Sequence, residues 1–310
     1  MEILKGGSGK GRAYIALAVT CIVWGTTWVA SKIGVMAMPA LQMAYLRQLI
    51  AGLCLVGFFM LYKKLPLPSA KQFQWIGVMA VLMFVFANGL STWSLRWIPT
   101  GLSALIGALY PLSVVIIERL FFKSKKLTAL TFIGLFLGLT GVGIVFYENA
   151  FNNLTPSFII GIGLSLFAML SWSLGTVFLS RNKANINPYY GTGWQMLISS
   201  VLLFVMAETT QPTVALSEIP VKGWLVIAYL VVFGSIIAFV AFIYSMKKLP
   251  AAVASIYAYI NPLVAMVIGA LVVNEKLTLS ILWGAIVTLA GVYLVNLSIK
   301  RAEVIAEAEI

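Results

Sequence analysis

The chain contains no histidine and no aspartate, only two cysteines, and charged side chains at a tenth of its 310 residues. Each shortage removes a class of chemistry. Protein metal sites draw on clustered His, Cys and Asp ligands, and general acid–base catalysis on imidazoles or positioned carboxylates. The acids here are nine glutamates, and no two of them lie three or four residues apart inside an apolar run. Cys21 and Cys54 sit singly in apolar stretches and make neither a disulfide framework nor a zinc site. No cofactor is expected. The low charge also excludes a water-soluble fold. Soluble domains carry about 45–50% apolar and about 25% charged residues, against 61% and 10% here, with a mean hydropathy of +1.01. A net charge of +12 raises nucleic acid as a partner. The basic residues, however, are scattered in ones to threes between apolar runs, which is the pattern of membrane loops. The lipid bilayer is the expected partner, and nucleic acid is not.

What the chain does have is apolar runs of spanning length. A transmembrane helix needs about 20 mainly apolar residues. Charge, proline and polar clusters delimit ten of them: 13–31, 39–61, 72–95, 98–122, 128–147, 157–180, 189–207, 222–246, 250–272 and 278–299. The runs are continuously apolar rather than alternating, so helices and not barrel strands satisfy the backbone. The run from Ala13 to Ala30 exceeds the about 7–15 residues of a signal-peptide core and reads as the first span. With the N-terminus placed in the cytoplasm, fifteen Lys and Arg fall on the cytoplasmic side. Four (Lys32, Arg96, Lys222 and Lys276) fall on the other, and Arg47 and Arg119 lie within spans. The positive-inside rule therefore predicts both termini in the cytoplasm. The expected setting is a cell inner membrane. Every loop is short, so function must lie among the helices.

The chain also repeats itself. Trp24 pairs with Trp172, Pro39 with Pro188, Trp75 with Trp224, Pro99 with Pro250 and Pro111-Leu112 with Pro262-Leu263. Lys126-Leu127-Thr128 answers Lys276-Leu277-Thr278, followed by matched glycines such as Gly134 with Gly284 and Gly141 with Gly291. All offsets lie between 148 and 151. The expected units are residues 1–150 and 151–310. Five spans per unit is an odd number, so the second unit enters from the opposite face. Such inverted repeats let a midplane site face each side in turn, a recurrent device of secondary transporters.

At Trp24-Gly25-Thr26-Thr27-Trp28-Val29-Ala30-Ser31-Lys32, at Pro262, at Asn274-Glu275-Lys276-Leu277-Thr278 and at the glycine-bearing spans closing each half, the chain resembles the EamA-type branch of the drug/metabolite transporter superfamily. The resemblance implies a ten-helix carrier with a central cavity, often an exporter of amino acids, aromatic compounds or other small metabolites. One departure stands out. The acid before Leu-Thr is present as Glu275, but the first half reads Lys125-Lys126-Leu127-Thr128.

A solute path needs polar or aromatic side chains facing the bundle interior. Trp24, Thr27, Trp28 and Ser31 share one helical face of the first span. Asn88, Ser91 and Thr92 mark the third span, and Ser103, Gly107 and Tyr110 the fourth. Trp172 and Thr176 mark the sixth, Ser235 and Phe239 the eighth, and Ser255, Tyr259 and Asn261 the ninth. Each Ser or Thr also fits plain interhelical packing. Tyr110-Pro111 and Asn261-Pro262 withdraw backbone donors at matched depths, which fits a binding region as well as a structural kink. Arg47 lies about two helical turns inside the second span. It fits an anchor for a substrate carboxylate, helped by Gln48, or an arginine reaching the outer interface or bonded to helix carbonyls. Glu118 and Arg119 are adjacent, hence about 100° apart on a helix and no natural pair with each other; they fit gating or structural pairing near the cytoplasmic end better than a proton relay. A small-molecule carrier is the reading these residues favour. A polytopic enzyme and a passive channel or scaffold are the rivals.

Overall fold

A computed structural model describes residues 3–122, 128–153, 155–181, 186–249, 253 and 256–308. Of the residues named above, Lys125, Lys126, Leu127, Pro250 and Ser255 lie outside them. The described residues form helices throughout, in order α1 (Ile3–Ala37), α2 (Ala40–Tyr62), α3 (Ala70–Ser94), α4 (Thr100–Phe122) and α5 (Ala129–Asn153). The second half supplies α6 (Pro156–Arg181), α7 (Pro188–Thr210), α8 (Val221–Lys248), α9 (Tyr257–Val273) and α10 (Leu279–Ala308). Among the described residues nine of these are long and apolar enough to cross a membrane. The described part of α9 is the shorter tenth. Ten crossings put both termini at one end of the bundle, called here the terminal end; the other is the far end.

Local chemistry explains several boundaries. Ser69 and Gln72 form a reciprocal capping box at the start of α3, which satisfies two amides that have no partner within the helix. Asn187 accepts from the amides of Tyr189 and Tyr190, with Pro188 in the first helical turn of α7. At the far end Lys32 donates to the carbonyls of Leu95 and Ile98 at 2.6 and 3.1 Å, and Arg96 to that of Val35 at 2.9 Å. These cations satisfy carbonyls that a helix C-terminus leaves free.

The most intimate packing joins the last helices of the two halves. A Cβ on Gly134 would lie 2.7 Å from the carbonyl oxygen of Gly291, and one on Gly284 2.7 Å from that of Gly141. The backbones of α5 and α10 thus touch directly, as small residues permit in lipid, where no hydrophobic effect drives helices together.

Two distortions carry the most weight for the site. The helix of α4 is interrupted between Gly107 and Tyr110, where Pro111 has no amide to give the Gly107 carbonyl. The span expected as one helix over 98–122 is therefore two. Within α3 and α8, Ala80–Gly89 and Leu230–Ile237 are π-helical. The two start 150 residues apart, the repeat offset read above. Such wide turns gather at functional sites.

Candidate functional site

The interrupted and widened helices surround a cavity of about 180 Å³ in the far half of the bundle. Trp24, Thr27, Trp28 and Ser31 of α1 line it with Arg47 of α2, Asn88, Ser91 and Thr92 of α3, and Ser103 and Tyr110 of α4. Trp172 of α6, Phe239 of α8 and Tyr257, Asn261 and Pro262 of α9 complete the wall. Of the residues the sequence pointed to, Trp24, Thr27, Trp28, Ser31, Arg47, Asn88, Ser91, Thr92, Ser103, Gly107, Tyr110, Trp172, Phe239 and Asn261 meet here.

Thr176, Ser235 and Tyr259 lie off the wall for separate reasons. Thr176 sits one turn beyond Trp172 and donates its hydroxyl to that residue's carbonyl at 2.8 Å. Ser235 is fully buried behind the cavity and accepts from Arg47 Nε at 2.8 Å. Tyr259 turns outward to α10, where its hydroxyl donates to the Val292 carbonyl at 3.2 Å and accepts from Asn296. One consequence is direct. Replacing Thr176 with valine should leave substrate exchange in proteoliposomes at the wild-type rate, because the bond removed is internal to its own helix.

Arg47 is held from behind. Its side chain is 6% exposed, and Ser235 is its recorded hydrogen-bond partner. Gly234 makes the approach possible, since a Cβ there would sit 2.8 Å from Thr27 Cγ2 and 3.2 Å from Arg47 Nη2. The Gly234 carbonyl in turn accepts from Trp24 Nε1 at 3.2 Å. This Gly234-Ser235 platform lies in the π-helical stretch of α8 and was the feature least visible in the sequence; a Gly-Ser pair inside an apolar span was its signal. Among the described residues no carboxylate lines the cavity. Among the described residues the ion pair is Glu118–Arg181 at 3.3 Å, half-exposed at the terminal end, so Glu118 pairs across to α6 rather than with Arg119. A pair so exposed contributes little to stability.

The terminal side of the cavity is an aromatic floor. Trp24 stands at its centre, with ring centroids 5.3 Å from Phe239, 4.9 Å from Phe242, 5.5 Å from Tyr257 and 6.4 Å from Trp172. Tyr110 stacks on Tyr257 at 6.0 Å and 18°. Tyr257 was not among the residues expected. Above the floor the wall is hydroxylated. Ser103 bridges Ser94 and Ser165 at 3.3 and 3.1 Å, linking α3, α4 and α6. Thr27 and Ser91 donate to their own helices, at Trp24 and Asn88. Gln48 donates to Asn88 Oδ1 at 2.8 Å, while Gln48 Oε1 and Asn261 Oδ1 are buried without a partner. Buried polar atoms are normally hydrogen-bonded, so the Asn261 oxygen at the cavity wall suits a partner brought by a ligand or water.

Comparison with known proteins agrees with this architecture. The EamA-like transporter family matches the chain twice, over residues 11–147 and 159–297. The chain belongs to that family. As an EamA-like transporter it is 32% identical over 265 residues to the Escherichia coli K12 protein described as the uncharacterized inner membrane transporter YedA, covering 85% of this chain and 83% of that one. It is 27% identical to the uncharacterized transporter YvbV of Bacillus subtilis, across 96% and 95% of the two chains. It is 28% identical to a WAT1-related chloroplastic protein of Arabidopsis thaliana, across 95% of this chain and 72% of the other. A solved crystal structure superimposes with a TM-score of 0.64 over 94% of this EamA-like transporter and 98% of its own chain. At 18% identity that likeness shows the fold alone.

Proposed function

We propose that this EamA-like transporter is a secondary carrier of small carboxylate-bearing metabolites with an apolar or aromatic body, working by alternating access and serving for export. The two exchanging units are residues 1–150 and 151–310, and the protein sits in the inner membrane with both termini in the cytoplasm. The observation that carries the reading is Arg47. Its guanidinium has five donors, one of which is committed to Ser235, and it borders a cavity without an acid. A buried cation in lipid is costly unless something balances it, and a substrate carboxylate does so while docked.

The rest of the wall supports the same cargo. The aromatic floor suits an apolar ring or chain, and the hydroxyls and the Asn261 amide suit a second polar group. At about 180 Å³ the cavity falls below the roughly 300–1,000 Å³ of drug-sized pockets, which favours a molecule with no more than one ring system. A cation would meet Arg47 with no acid to receive it. The likeness to the inner membrane transporter of Escherichia coli supports the placement.

Counterflow in proteoliposomes tests the reading with three probes: 3-phenylpropanoate, L-phenylalanine and phenethylamine. The carboxylates should exchange and the bare amine should not. Exchange of phenethylamine as fast as of the acids, or of none of the three, would overturn it. A metabolite comparison between overexpressing cells and vector controls then names the physiological cargo.

A further inference from the structure

The Asn274-Glu275 motif lies outside the cavity wall, yet its geometry is specific. Asn274 ends α9 in the left-handed conformation, φ 56°, which asparagine tolerates better than most residues. The turn brings the Glu275 amide back to the Gly269 carbonyl at 3.2 Å. It also sends the carboxylate across to the first turn of α4, in the other half of the molecule. There Oε1 accepts from the Thr100 amide at 2.7 Å, and Oε2 accepts from Thr100 Oγ1 at 2.7 Å and the Gly101 amide at 3.4 Å. Helix α4 needs that acid. Its N-cap is Pro99, which offers no side-chain oxygen, and the first amides of a helix carry partial positive charge and no internal partner. Gly269 permits the approach, because a Cβ there would lie 2.6 Å from Thr100 Oγ1 and 2.9 Å from Glu275 Oε2. Beneath the contact Met266 is 4% exposed, and its Cγ would lie 2.5 Å from a Cβ on Gly101.

We infer that Glu275 is a one-sided latch: while it ties α4 to α9 at the far end of the bundle, the two helices part only toward the terminal end. The proline sites interrupt the interior of both helices, at Pro111 and Pro262. With the far halves clasped and a weakened backbone in each helix interior, the far halves move as one block and the terminal halves swing. The repeat supplies the contrast. Its offset of 150 places Lys125 where the first half would need the matching acid. An ammonium cannot accept from amides, and the positive end of a helix repels it. Glu275 is thus a positioning residue for the alternation proposed above, on which the inference rests.

Its test needs no substrate, so its failure is distinct from a failure of counterflow. In the full chain with Cys21 and Cys54 changed to alanine, Met266→Cys serves as reporter, and a membrane-impermeant maleimide is applied to vesicles of either orientation. The reporter should be protected beside Glu275. In Glu275→Ala it should label at least about fivefold faster, the low end of typical coupling between linked states, and only from the face opposite the termini. Thr100→Val, which keeps both amide bonds, should fall between. Equal labelling with and without Glu275, or a gain confined to the terminal face, overturns the latch. If Glu275→Ala does not elute as a single species on size exclusion, Glu275→Gln and Thr100→Val decide. The glutamine lacks the charge and one acceptor oxygen, so both must label faster than the parent, and protection in both overturns the inference.

Discussion

Exchanging Arg47 for methionine should lower carboxylate counterflow by one to two orders of magnitude and raise the melting temperature at the same time. Hydrogen bonds to a charged group contribute about 1.5–3 kcal/mol, and each 1.4 kcal/mol is about tenfold in an equilibrium, so losing the anchor costs roughly 10- to 100-fold in apparent affinity. The stability change runs the other way. A guanidinium in the hydrocarbon region costs at least about 2.5–3.5 kcal/mol on insertion scales, and Arg47, 6% exposed, has a serine hydroxyl and no carboxylate beside it. Methionine fills a comparable space with apolar atoms and leaves one Ser235 oxygen to find another donor. Function would then be held at the expense of stability, as sites often are. Ser235→Ala separates charge from position: the cation remains, its support does not, and exchange should fall less far with no thermal gain. Counterflow and thermal unfolding followed by fluorescent size exclusion read both effects. A methionine variant that exchanges at the wild-type rate removes Arg47 from the site. One that melts lower makes it a structural residue.

The second large effect is purely mechanical. Gly141→Leu should destabilise the protein severely, while Gly143→Leu, two residues away on the same helix, should leave it unchanged. Even a Cβ at Gly141 would collide with the Thr288 amide and lie 2.5 Å from the Gly284 carbonyl oxygen, whereas nothing lies within 4 Å of one at Gly143. Overpacking ordinarily costs about 1–3 kcal/mol. The obstacle here is backbone on the facing helix, which cannot rotate aside, so α5 and α10 must separate. Melting temperatures of the two variants check it; similar losses in both would show that leucine at either position, rather than helix contact, is at fault.

Residue by residue, the fold was more legible than the site. Apolar runs, loop charges and the 150-residue echo need no tertiary knowledge, because lipid forces each span to satisfy its own backbone. What escaped was rotation. Tyr257 and Tyr259 are two apart and so about 200° apart around a helix. The ninth span was read with Tyr259 beside Asn261, whereas Tyr257, Ala258 and Asn261 share the cavity face and Tyr259 meets α10. The residue spacing allowed either choice, since both faces of that helix are polar enough. The π-helical stretches escaped for another reason: Ala80–Gly89 and Leu230–Ile237 contain no residue type peculiar to wide turns. Ser235 was expected to face the solute path and Gly234 was not singled out, because the burial of Arg47 against them is visible only in three dimensions.

Those wide turns have a mechanical consequence. Sharp bends in helices gather at prolines and at π turns, and each half of the protein holds one of each: Pro111 with Ala80–Gly89, and Pro262 with Leu230–Ile237. Each half thus carries a bendable point in two of the helices that surround the cavity.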